Sequence, residues 1–331
     1  MDKRFKILII QTAFIGDVIL ATPVIEAIHS HDPSILIDML IRKGNEGILK
    51  DHPKLSKLWI WDKKDKKTQN QWGLIRKFKK QQYDIIINLQ RFMSSGLFTT
   101  LSGAKSTIGF DKNPLSFRFT HKVKHEIGKG THEIDRNLSL LNSFISNPQG
   151  KMRLYPSAQD FEKIKHFQKS KYIVIAPTSV WYTKQYPAHK WIDFMDKVDP
   201  SIQIYLIGGP DDSDDIEAII EKSNNNSIKN FCGKLSILQS AALMQGALMN
   251  YVNDSAPLHI ASAMNAASTA IFCSTTPSFG FGPKSDNGVI IEADIKLSCK
   301  PCGLHGRRNC KEEHFDCANK IDTNKLLTRI K

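Results

Sequence analysis

The chain has 331 residues, 41% of them hydrophobic and 24% charged, with 46 Lys/Arg against 33 Asp/Glu. That length exceeds a comfortable single core and that balance is globular, so two ordinary domains are expected and a disordered chain is excluded. No apolar run approaches the roughly 18 to 20 residues that cross a bilayer, which excludes a helical membrane protein.

The chain opens with MDKRFKILIIQTAFIGDVIL, a charged start ahead of an apolar stretch, as in a secretory leader. Gln11, Thr12 and Asp17 interrupt the stretch and no small-residue cleavage site follows. It therefore reads as a buried first strand of a cytoplasmic protein. Further strands are expected at residues 35–41, 58–61 and 84–89, with helices at 23–29 and 72–81 between them. A polar stretch at 147–157 with Pro148, Gly150 and Pro156 reads as a linker. The alternation restarts at 171–177 and continues at 202–208, 228–231, 249–254 and 268–273, with a last short helix at 323–330. Such alternation predicts two α/β domains with parallel sheets, residues 1–155 and 156–331. The last helix is open to packing back on the first domain.

Charge divides the chain unevenly. Residues 1–155 hold 26 Lys/Arg against 14 Asp/Glu, whereas residues 156–331 hold 20 against 19. The first half thus suits an anionic partner, although lysines such as Lys63, Lys64, Lys66 and Lys67 also read as solvated loop charge. No nucleic-acid module and no aromatic–basic interleaving is found, so no nucleic-acid partner is expected.

The first strand runs into QTAFIGDVILATP. In a doubly wound sheet, ligands sit outside the carboxyl ends of strands, where this turn lies. Gly16 permits a tight bend and Asp17 follows. Two readings of Asp17 stand: a helix cap, or a carboxylate facing the ligand if the helix begins instead with Thr22 as cap and Pro23 in its first position. The turn lacks G-x-G-x-x-G, which argues against a nicotinamide dehydrogenase. In APTSVWYTKQYP, Thr178 and Ser179 stand at a strand end and Lys184 is spaced to meet a diphosphate, or is a surface lysine. In NDSAPLHIASA, Asp254, Ser255 and Ala256 form a strand-to-helix turn, with Pro257 and His259 in the first helical turn. Backbone N–H groups and the helix dipole favour a phosphate there, while a structural, hydrogen-bonding His is the plainer reading of His259. Cys299, Cys302, Cys310 and Cys317, with His305 and His314 nearby, are either a structural zinc site or reduced thiols.

GDVILATP, TKQYP and NDSAPLHIASA, in that order, resemble glycosyltransferase family 9, which includes the heptosyltransferases of the lipopolysaccharide inner core. The resemblance covers nearly the whole chain. Residues 88–110, 131–141 and 299–310 look like segments of its second-heptose branch. It implies a GT-B fold of two Rossmann-like domains, the first binding the acceptor and the second the nucleotide sugar. It implies inverting transfer of heptose from an ADP-sugar to an anionic lipid-linked glycan, with no cofactor, at the inner face of the cytoplasmic membrane. The family's catalytic Asp falls on Asp17. Its donor contacts fall on Thr178, Ser179, Lys184, Asp254, Ser255, Ala256 and His259, and His132 and Arg136 fall on the acceptor side. Ala256 stands where the family commonly has Gly, which would strain the turn if its φ were positive. The same fold with another nucleotide sugar or acceptor, and a non-catalytic binding protein, are the alternatives.

Overall fold

The structure is a computed structural model that describes residues 4–330. The chain divides into two compact units: the chain through Ile127 with Thr131–Tyr155, and Gly128–Gly130 with Pro156 onward.

The first unit runs β1 (Lys6–Ile10), α1 (Ile15–His31), β2 (Leu36–Arg42), β3 (Lys57–Trp61), α2 (Lys67–Gln81), β4 (Ile85–Asn88), α3 (Met93–Leu101), β5 (Ser106–Phe110), β6 (His121–Val123) and α4 (Glu133–Ser139). Its sheet has the order β3-β2-β1-β4-β5-β6, paired in parallel throughout. Strand order reverses between β1 and β4, so the loops after these two strands border the crevice where such sheets bind ligands. The central strands are apolar because a parallel sheet buries both faces. Ile7 through Ile10 and Ile86 and Ile87 are all fully buried. Trp61, Phe78 and Phe98 close one side, and each such buried side chain contributes on the order of 2 kcal/mol.

The second unit runs α5 (Ala158–Ile164), β7 (Tyr172–Ala176), α6 (Ala188–Asp196), β8 (Gln203–Leu206), α7 (Ser213–Ile220), β9 (Ile228–Asn230), α8 (Ile237–Gln245), β10 (Met249–Asn253), α9 (Ala256–Ala263), β11 (Ser268–Ile271), β12 (Gly288–Ile291), α10 (Asp316–Asn319) and α11 (Asn324–Leu327). Its order is β12-β11-β10-β7-β8-β9, again parallel throughout, and its switch point lies between β7 and β10. The last helix packs within this unit: Leu326 is fully buried and its carbonyl accepts from the Tyr251 hydroxyl at 2.8 Å. Among the described residues, no helix is long and apolar enough to cross a membrane.

One expected helix start is corrected. α1 begins at Ile15, so Thr22 and Pro23 sit in its interior and not at its cap. Proline lacks the N–H that would reach Ile19 O, and the Thr22 hydroxyl donates to that carbonyl instead, at 2.7 Å. Thr22 Oγ1 in turn accepts from Arg153 N at 3.1 Å. The strap before residue 155 is thereby laid on α1 closely enough that a Cβ on Gly150 would stand 2.1 Å from Pro23 O. Further along, Tyr155 donates to the buried Glu26 at 2.8 Å, and Lys54 pairs with the same carboxylate at 2.5 Å.

His52 packs edge-on to Tyr155, ring centroids 4.7 Å apart, and burial lowers its pKa to about 4 from 6.5. The folded state resists protonation that the unfolded chain accepts. This contribution is therefore complete above pH 6.5, is lost as pH falls toward 4, and is worth on the order of 3 kcal/mol. Denaturant titrations of His52→Gln should accordingly show a shallower loss of stability between pH 6.5 and 4 than the parent. An unchanged slope would place the titration elsewhere.

Candidate functional site

In the first unit, Asp17 occupies the first turn of α1, at the carboxyl end of β1. Its Oδ2 accepts a hydrogen bond from Phe14 N at 3.0 Å, so the carboxylate caps its own helix. One oxygen is thus engaged at the helix start that sequence reasoning had moved to Thr22. Phe14 is 60% exposed, with the Arg42 guanidinium 4.5 Å from its ring centroid. The β1 and β4 loops are stitched across the switch point by Gln90, which bonds Thr12 Oγ1 and Gln11 Oε1, each at 2.7 Å. Lys63, half-buried, donates to Thr12 O at 2.6 Å, and burial lowers its pKa, with Arg42 and Lys67 pushing the same way.

The helix carrying the other two first-unit candidates packs on α1. Asn137 donates to Leu20 O at 3.1 Å, pinning α4 to the second turn of α1. His132 caps α4 by accepting from Ile134 N at 3.2 Å. Arg136 is buried and pairs with Glu133 at 2.6 Å. Burial raises the Glu133 pKa, Arg136 opposes the rise, and the Asp17 charge adds to it. Glu133, which sequence reasoning did not single out, is therefore close enough to Asp17 for the two carboxylates to interact.

In the second unit, the fully buried Asn253 at the end of β10 organises the switch point, another residue that sequence reasoning missed. Its Nδ2 donates to Pro177 O at 2.8 Å and its Oδ1 accepts from Tyr186 N at 2.9 Å. The loop bearing Thr178, Ser179 and Lys184 is thereby held against the end of the strand that Asp254 follows. Gln185 adds a bond to Ser179 O at 2.7 Å. Lys184 and Asp254 form a buried ion pair at 2.7 Å, with side chains 14% and 7% exposed. Thr275 donates to the same Asp254 oxygen at 2.7 Å. Ser255 is the extended N-cap of α9 and makes no side-chain cap bond. Ala256 begins the helix, so the backbone has no positive φ there and Ala in place of Gly carries no strain. His259, one turn in, is buried. Thr178 also borders a cavity of about 740 Å³ shared with Tyr182, Gln185, Tyr186, His189 and Phe315; the Lys184–Asp254 pair lies outside its lining.

The cysteines are free thiols. Burial pushes Cys317 up to about 12, and the neighbouring sulfurs of Cys302, Cys310 and Cys299 act in the same direction, opposed by Lys300. Among the described residues, no group of three or more His, Cys, Asp or Glu is placed to hold a metal ion.

Two parallel, doubly wound units, with charged side chains at the switch point of each, have the GT-B fold. The profile of glycosyltransferase family 9 (heptosyltransferase) matches residues 71–314, and the chain belongs to that family. It is 26% identical over 317 residues to lipopolysaccharide heptosyltransferase 1 of Campylobacter coli, covering 88% of this chain and 91% of the relative. Two solved structures share the fold. One is a family 9 glycosyltransferase of Veillonella parvula, at TM-score 0.86 and 19% identity over 99% of this chain and 97% of that one. The other is an E. coli ADP-heptose LPS heptosyltransferase II, at TM-score 0.81 and 16% identity over 98% and 97%.

Proposed function

We propose that this glycosyltransferase transfers heptose, with inversion and without a metal, from ADP-heptose to the inner core of a lipopolysaccharide precursor. The observation that carries the reading is the Lys184–Asp254 pair beside the first turn of α9, whose N-cap Ser255 leaves the helix start uncapped by a side chain. A diphosphate seated there meets one ammonium and the positive end of a helix. Thr178, Ser179, Ala256 and His259 complete the donor contacts, and Asp254 suits a sugar or ribose hydroxyl. The second unit is thus the donor domain and the first the acceptor domain, with His132 and Arg136 on the acceptor side.

In the reaction, the acceptor hydroxyl oxygen attacks the anomeric carbon as its bond to the diphosphate breaks. The hydroxyl proton passes to Asp17 and ADP leaves from the opposite face with the negative charge, which Lys184 and the α9 amides stabilise. Thermal shift against a panel of nucleotide sugars tests the donor: a saturable rise with an ADP-sugar supports the reading, and a rise with a UDP-sugar alone replaces the donor.

The excess of 12 positive charges in residues 1–155 supports an anionic lipid-linked acceptor met at the inner face of the cytoplasmic membrane. Raising salt should therefore increase the acceptor KM more steeply than the donor KM, because exposed charge is screened and the largely buried Lys184 much less so. Equal slopes would remove the role given to the basic half. Structural zinc on Cys299, Cys302, Cys310 and Cys317 would require the four sulfurs to close on one point; stoichiometric zinc in purified protein would establish it, and none would leave packed thiols.

A further inference from the structure

The cysteine-rich segment is given no task by the donor and acceptor assignments, yet it is locked to the residue preceding Lys184. The Thr183 hydroxyl, 1% exposed, accepts from Arg307 N at 2.7 Å and from Ser274 Oγ at 3.0 Å, and donates to Arg307 O at 3.2 Å. Thr183 N also donates to Arg307 O, at 3.1 Å, and Ser274 N donates to Thr183 O at 3.2 Å. The far side of the segment is tied to the ends of β11 and β12. Cys302 N donates to Ser274 O at 2.9 Å, Lys300 Nζ donates to Phe272 O at 3.1 Å and pairs with Glu292 at 2.7 Å, and Arg307 Nε donates to Cys302 O at 3.2 Å. Gly306, at φ +76°, lies so close to the Lys184 stem that an added Cβ would meet Lys184 Cγ at 2.9 Å. The lysine is therefore gripped along its methylenes by Gly306 and at its tip by Asp254.

We propose that residues 299–310 form a brace that places the Lys184 ammonium for the diphosphate of the nucleotide sugar, with Thr183, Gly306 and Arg307 as positioning residues. The proposal rests on the reading that Lys184 meets the donor diphosphate. A long, flexible ammonium stem binds a diphosphate well only when its rotamers are already restricted, and a misplacement of about 1 Å at such a site is costly. Thr183 suits the task because one hydroxyl can accept twice and donate once, which serine reproduces and valine does not.

The test uses the full chain, with ADP binding by calorimetry, KM for donor and acceptor, and melting temperature. Thr183→Val is expected to weaken ADP binding and raise the donor KM roughly tenfold, with the acceptor KM unchanged and Thr183→Ser restoring both. Gly306→Ala carries the same expectation should Thr183→Val fail to fold. Donor and acceptor KM moving together with a lowered melting temperature, or a donor KM that stays at the parent value, overturns the brace. Lys184→Gln separates the two ideas. If it leaves ADP binding intact, the donor reading of Lys184 is at fault; if it weakens binding while Thr183→Val does not, only the brace is.

Discussion

Asp17→Asn should lower kcat by roughly 10²- to 10⁴-fold while leaving ADP-heptose bound as tightly as in the parent. The structure makes this substitution unusually clean. Asparagine keeps a carbonyl oxygen to accept from Phe14 N, so the start of α1 should be preserved while the proposed proton acceptor is lost. Asp17→Ala removes both functions and should also cost about 1 kcal/mol of stability, as losing a helix cap does. The neighbouring Glu133 carboxyl, held by Arg136, does not replace the lost base, because burial and that ion pair keep it engaged. Single-turnover rates with calorimetric donor binding check the prediction. Loss of donor binding in folded Asp17→Asn would make the residue structural, and a kcat near the parent would remove it as the base.

Lys184→Met carries the second large effect, and it appears in two measurements of opposite design. Without the ammonium, the Asp254 carboxylate is left buried with the Thr275 hydroxyl donating to it, and breaking such a pair costs about 3–5 kcal/mol. The double variant Lys184→Met/Asp254→Asn removes the stranded charge and should recover most of that stability. Neither variant should bind the ADP diphosphate well, since the cation is gone from both. Stability recovered without binding recovered is the expected signature. Recovery of both would mean that Lys184 serves Asp254 alone and not the nucleotide.

The sheets were legible wherever a strand is apolar enough to be buried on both faces, as at KILII, IIIN and YIVIA. They were not legible at β5, β6 and β12: STIGF mixes Ser, Thr and Gly with its apolar residues, GVII opens on glycine and is only partly buried, and HKV is an exposed edge strand of three residues. The start of α1 was misread because Thr22–Pro23 has the residue types of a cap. Nothing local reveals that the Thr22 hydroxyl substitutes for proline's missing donor. Individual site residues were nameable from their turns, but their partnerships were not. Lys184 and Asp254 are 70 positions apart, and Thr183 and Arg307 are 124 apart, so their meeting depends on strand order. Asn253 lacked any local signal beyond its place at a strand end.

The most direct test of the account is incubation of the purified chain with ADP-heptose and lipopolysaccharide precursors carrying either no heptose or one, with the product followed by mass spectrometry and its new anomeric bond by NMR. The account predicts release of ADP, gain of one heptose by the acceptor and an anomeric configuration opposite to that of the donor. Retention of the donor configuration, or transfer that proceeds only from a different nucleotide sugar, would contradict it.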